Sequence, residues 1–165
     1  MTHALAANLG MNSEANPRNT QGIVMVGAAN EDQQHGPSTE GGKDFFVERD
    51  GVKFAGTHLL IDLWGASRLD ELDTVEAALR ESARVAGATV LHCHLHHFQP
   101  NGGISGVLVL AESHISIHSW PERGYAALDV FMCGECDPYR AVPVLKEAFT
   151  PSYVTLAENK RGLTP

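Results

Sequence analysis

The sequence predicts an α+β fold, a two-layer sandwich in which a mainly antiparallel sheet carries two helices on one face. Two observations predict it. Segments that alternate or run apolar like strands come in groups, and only two segments carry the longer apolar period of an amphipathic helix. No internal repeat is visible, so a single layered unit is the economical architecture.

Residues 1–42 are rich in Asn, Gly, Gln, Ser and Glu and follow neither period; they read as a disordered extension, with the folded domain spanning residues 43–165. Phe45, Phe46 and Val47 precede the turn signal Arg49-Asp50-Gly51, which suggests a short hairpin. His58 to Trp64 reads as a buried strand stopped by Gly65. The first helix follows: Asp73 and Glu76 have capping-box spacing, Val75, Leu79, Ala83 and Ala86 share a face, and Gly87 suits the C′ position. Thr89 to Phe98, Gly103 to Leu110, Ile115 to Trp120 and Tyr125 to Met132 are four more strands. Asp137 can cap a second helix beginning near Pro138, with Val142, Leu145 and Phe149 inward. Pro151 ends it, and Tyr153 to Leu156 suggests a last strand.

Composition narrows the function classes. An apolar fraction of 43% supports a real core in a chain of 165 residues. The net charge of −8 disfavours nucleic acid and anionic membrane as partners, since both require a basic surface, and suits a small-molecule substrate, more easily a cationic one. No apolar run approaches the roughly 18 residues of a membrane span, and no secretory signal opens the chain, so a cytoplasmic address is expected. Three cysteines, Cys93, Cys133 and Cys136, are too few for a disulfide framework. Cys133 and Cys136 form a C-x-x-C pair, but neither a second ligand pair nor a thioredoxin-like context accompanies it. His92, His94 and His96 alternate along one strand face, where two imidazoles at i and i+2 can hold zinc.

The densest chemistry lies in Ala111-Glu112-Ser113-His114-Ile115-Ser116-Ile117-His118-Ser119-Trp120-Pro121-Glu122, followed by Cys133. It gathers a candidate nucleophile, two imidazoles, carboxylates, an aromatic ring and a thiol; any one alone reads as structural, together they suggest a site. With Gly56-Thr57-His58-Leu59-Leu60-Ile61-Asp62, Gly103-Ile104-Ser105-Gly106 and Phe131-Met132-Cys133-Gly134, this run is similar to the short prokaryotic S-adenosylmethionine decarboxylase proenzymes. The resemblance covers about Gly56 to Glu158.

The resemblance implies that the chain cuts itself between Glu112 and Ser113, leaving a β chain ending at Glu112 and an α chain opening with a pyruvoyl group made from Ser113. It implies His118 as processing acid/base, Ser105 as its support, Cys133 as proton donor, Glu122 as ribose-binding carboxylate, and Trp120 and Phe98 as stacking partners for the nucleoside. It also implies no metal, and a homodimer of processed αβ protomers with sites near the subunit interface. The residues fit the chemistry. Decarboxylating an α-amino acid needs an electron sink, and no ordinary side chain supplies a carbonyl for a Schiff base, so the protein must acquire one.

Ser113 and His118 are five positions apart, so a straight strand would face them to opposite sides; a bend between Glu112 and His114, with strain at the scissile bond, is expected. Between Phe98 and Ser105 the loop reads one residue longer than the resembled pattern. Two alternatives stay open: an arginine or ornithine decarboxylase on the same scaffold, and an uncleaved regulator or zinc-binding protein.

Overall fold

The structure, a computed structural model, describes residues 46–164. The extension expected over residues 1–42 lies outside them, as does Phe45. The first two strands, β1 (Val47–Arg49) and β2 (Val52–Phe54), form the expected hairpin around Asp50-Gly51 as a two-stranded sheet. The main sheet has six strands: β3 (Gly56–Trp64), β4 (Val90–His97), β5 (Ile104–Leu110), β6 (Ser113–Trp120), β7 (Tyr125–Cys133) and β8 (Tyr153–Arg161), in the order β4-β5-β6-β7-β3-β8. Every neighbouring pair is antiparallel.

Two helices, α1 (Leu72–Ala86) and α2 (Ala141–Phe149), cover one face, so the two-layer α+β architecture is the observed one. Strand alternation explains the covered side. Leu59, Ile61 and Leu63 of β3, Ile115 and Ile117 of β6, and Leu128 and Val130 of β7 point inward and meet Val75, Leu79 and Ala83 of α1 and Leu145 and Phe149 of α2, all of them buried. Phe149 is fully buried, and Phe149→Ala is expected to destabilise the domain by about 3–5 kcal/mol in urea unfolding, through lost transfer energy and the cavity left behind.

Three boundaries differ from the sequence expectation. The cap of α1 is Glu71 rather than Asp73, which sits in the first helical turn. Glu71 is anchored by Arg68 Nε at 3.0 Å and Thr74 Oγ1 at 2.6 Å, while Glu76 is engaged by Arg80 instead of reaching back. Asp137 does cap, accepting from the Tyr139 N–H at 3.0 Å, but it caps a 3₁₀ turn, Pro138–Arg140, and α2 starts three residues later. The last strand runs on to Arg161, because nine residues of β3 offer it partners along their whole length. Gly87 ends α1 in the left-handed conformation, φ 85°, as expected.

Among the described residues nothing covers the other face of the sheet. Trp64, Val109, Trp120 and Tyr153 lie on it with 36% to 57% of their surface exposed. Large exposed side chains gathered on one face in this way usually mark a contact surface.

Candidate active site

β5 and β6 form a hairpin whose two-residue turn is Ala111-Glu112, closed by the pair Leu110 and Ser113. Glu112 holds φ 60°, in the left-handed region that a residue with a Cβ rarely occupies. Strain is therefore located at the residue whose carbonyl forms the Glu112–Ser113 bond. Ser113 opens β6 with its hydroxyl buried, and Ser113 Oγ accepts the Cys133 N–H at 3.1 Å. In a pyruvoyl group Oγ is gone, which leaves the Cys133 N–H as an unpaired donor beside residue 113; a donor next to a ketone is a surrounding that fits a pyruvoyl group.

Cys133 ends β7 on the uncovered face. Gly56 makes room for it: a Cβ there would come within 2.5 Å of the Met132 carbonyl oxygen, 2.9 Å of the Phe131 ring and 3.1 Å of Cys133 Sγ. Burial pushes the Cys133 thiol above its ordinary value, and the Glu112 carboxylate and Cys136 thiol add to the shift. The thiol is thus kept protonated at neutral pH.

The other predicted residues gather at the opposite end of the sheet. Ser105 pairs with His118 across β5 and β6, and Ser105 Oγ lies 2.9 Å from His118 Nδ1. Trp120 ends β6 and stacks on Tyr125, with ring centroids 5.3 Å apart, and Glu122 follows, exposed, in the 3₁₀ turn Pro121–Arg123. Phe98 just follows β4, exposed, with its ring 4.5 Å from that of His96. Buried Ser119 ties this end together: its Oγ accepts the Ile104 N–H and donates to the Leu69 carbonyl, both at 2.8 Å.

One chain therefore brings together Ser105 with His118 and Ser113 with Cys133, but does not bring the two pairs to each other. The bend falls before Ser113 rather than after it, and β6 runs unbroken from Ser113 to Trp120. Ser113 faces the core and His118 the open side, separated by five residues of strand, about 16 Å at the usual rise.

His92, His94 and His96 project, exposed, from the open side of edge strand β4. Among the described residues no group of three or more His, Cys, Asp or Glu is placed to hold a metal ion. No described helix is long and apolar enough to cross a membrane.

Sequence reasoning missed a polar network beside Cys133. Arg161 Nη1 of β8 lies 3.4 Å from His58 Nδ1 of β3; His58 Nε2 is 3.1 Å from Asp129 Oδ1 of β7; and Ser116 of β6 donates to Asp129 Oδ2 at 2.9 Å. The sequence signals only part of it: Asp129 alternates in step with Cys133 along β7 and Ser116 with His118 along β6, whereas His58 and Arg161 lie on other strands.

Residues 57–162 match the S-adenosylmethionine decarboxylase family. The chain is 42% identical over 113 residues to an S-adenosylmethionine decarboxylase proenzyme from Thermomicrobium roseum, covering 68% of this chain and 97% of the relative. A proenzyme of the same name from Methanococcus aeolicus is 43% identical over 114 residues, covering 67% and 97%. The crystal structure of the adenosylmethionine decarboxylase from Aquifex aeolicus superposes with a TM-score of 0.60 at 35% identity, covering 68% of this chain and 94% of that one. The chain belongs to the S-adenosylmethionine decarboxylase family.

Proposed function

We propose that this chain is the precursor of a self-cleaving enzyme that decarboxylates S-adenosylmethionine, using a pyruvoyl group made from Ser113. The observation that carries the reading is the strained Glu112–Ser113 turn, placed with the Ser113 hydroxyl beside Cys133, in a chain whose relatives are named for this decarboxylation.

In maturation Ser113 Oγ attacks the Glu112 carbonyl carbon; the C–O bond forms, the C–N bond breaks, and an ester with a free Ser113 amine results. β-Elimination releases the Glu112 carboxylate and leaves dehydroalanine, and water converts this to the ketone with loss of ammonia. An unactivated serine needs a base for that attack and donors for the tetrahedral oxygen, roles that suit His118 and Ser105. A pyruvoyl group at residue 113 would supply a ketone for the substrate amine and an electron sink for the pair left behind by CO₂. Cys133 returns a proton to the substrate carbon. Trp120 and Phe98 offer flat faces to adenine or to the sulfonium, where cation–π attraction contributes about 0.5–2 kcal/mol. Glu122 accepts hydrogen bonds from the ribose diol.

Because Ser113 and His118 lie far apart in one chain, the working site is shared between two copies whose open sheet faces meet. A two-fold axis running across the strands near Ser116 sets the His118 end of one protomer over the Ser113 end of its partner; because Ser113 itself faces the core, the partner's imidazole approaches at the exposed Glu112 turn, where the strand ends, and not through the sheet. The exposed Trp64, Trp120 and Val109 on that face support such a contact.

Intact-mass analysis with CO₂-release assays tests the reading. Two fragments are expected, residues 1–112 and 113–165, the second with a blocked terminus, and CO₂ is expected from S-adenosylmethionine. A single uncut mass, or release only from arginine or ornithine, overturns it. Cys133→Ala is expected to cleave normally but to turn over about 100-fold more slowly or worse, while the α chain regains a free amino terminus as pyruvoyl is converted to alanine. Unchanged turnover with a terminus that stays blocked removes Cys133 from the donor role.

A further inference from the structure

His114 follows the cleavage residue directly, lies on the Cys133 face, and has no part in the chemistry above. Its ring is held by carbon edges, with centroids 5.6 Å from Phe131 and 6.1 Å from His58. Among the described residues no hydrogen-bonding group meets its nitrogens, so both are available. His114 pairs with Phe131, and Cys133 is two positions further along the same strand, which makes them diagonal neighbours about 7–8 Å apart at the backbone, close enough for a direct or water-bridged proton transfer.

The groups around His114 fix its state. β5 presents Val109 and, beyond it, β4 presents His92; β7 presents Phe131, with Asp129 and Cys133 diagonal to it; β3 presents His58; β8 presents Arg161; and the Glu112 carboxylate of the preceding turn acts on Cys133. A guanidinium can only donate, so His58 Nδ1 accepts from Arg161, and His58 carries its proton on Nε2 and donates it to Asp129. Both His58 nitrogens and the Asp129 carboxylate are thereby engaged with each other and with Arg161. Burial, then His58, depress the His114 pKa; Asp129 opposes and Arg161 assists. Its imidazolium is therefore a good acid, next to a thiol that burial makes a strong base once ionised.

We propose that His114 is the relay that recharges Cys133 between turnovers. This rests on the reading of Cys133 as the proton donor. Each decarboxylation consumes one proton. After Cys133 has given its own, the imidazolium N–H bond breaks, the S–H bond of Cys133 forms again, and neutral His114 takes its next proton from water.

The test is rapid-mixing kinetics on cleaved His114→Gln and His114→Asn enzyme beside wild type and Cys133→Ala. The expected result is a first turnover at the wild-type rate followed by steady turnover about tenfold slower or more, so that CO₂ appears as a burst of one per site. The α-chain mass should shift from pyruvoyl towards alanine over successive turnovers. Free imidazole should restore the steady rate, with rescue weakening as pH rises above about 7 because the imidazolium form is what acts. In unaltered enzyme the same burst should emerge as pH is raised, a readout that does not depend on the variants cleaving. Linear time courses and a stable pyruvoyl mass in the His114 variants, or no burst in wild type at raised pH, overturn the relay while leaving Cys133 in place. If Cys133→Ala itself keeps a blocked terminus and normal turnover, the donor assignment fails first and the relay with it.

Discussion

Ser113→Ala is expected to remain one uncut chain, to keep an ordinary amino acid at position 113, and to release no CO₂ from S-adenosylmethionine. The expected effect is total because a single oxygen serves twice. It is the nucleophile that breaks the Glu112–Ser113 bond, and its elimination is what turns the residue into a ketone. No neighbouring group can substitute: Cys133 offers Ser113 only its backbone N–H at 3.1 Å. The fold should survive. Removing a buried hydroxyl acceptor leaves that N–H unpaired, a cost of about 1–3 kcal/mol, and thermal melting should still show a cooperative transition, lower by about 3–15 °C. A denaturing gel and intact mass read the outcome directly. Two fragments from a folded Ser113→Ala chain would mean that the nucleophile lies elsewhere, and the proposed maturation would fall.

How much of this was legible in the sequence follows from range. Apolar periodicity is local, so the inward faces of α1, β3, β6 and β7 are legible in Val75 and Leu79, Leu59 and Ile61, Ile115, and Leu128 and Val130. Caps are less legible because several residues compete for the same N–H groups. Asp73 has the right spacing, yet the cap position falls on Glu71, whose carboxylate bonds no helix N–H and is held instead by the Arg68 and Thr74 side chains. The strain at Glu112 was expected from the chemistry, and a left-handed residue in a two-residue hairpin turn is how the fold provides it. What sequence could not give is pairing across the sheet. His58 and Asp129 are 71 positions apart, Arg161 and His58 are 103, and only the register β7-β3-β8 lines them up beside His114. The opposed faces of Ser113 and His118 were legible from their odd spacing, but the remedy was not. A bend within one chain was the natural expectation, whereas β6 stays straight; the remedy proposed above is a second copy.

That remedy makes the other large prediction. Ser113→Ala and His118→Ala chains should each stay uncut when made alone, the first for want of a nucleophile, the second because losing the acid/base costs about 10²–10⁴ in rate. Made together with different tags, they should cut again, and in one chain only. In a mixed dimer the site that joins Ser113 of the His118→Ala chain to Ser105 and His118 of the Ser113→Ala chain is intact, while the other site carries both defects. With random two-fold pairing about half of the His118→Ala chains should be cleaved and none of the Ser113→Ala chains. A site contained within one protomer predicts no cleavage in any mixture, because no single chain holds both groups. The geometry favours the shared site: Ser105 and His118 are already joined at 2.9 Å, positioned by the doubly bonded Ser119, at the end of the sheet away from any bond they could act on in their own chain. Cleavage confined to the His118→Ala chain would make pairing a precondition of maturation, so that each protomer stays inert until a second copy lays its open face against it.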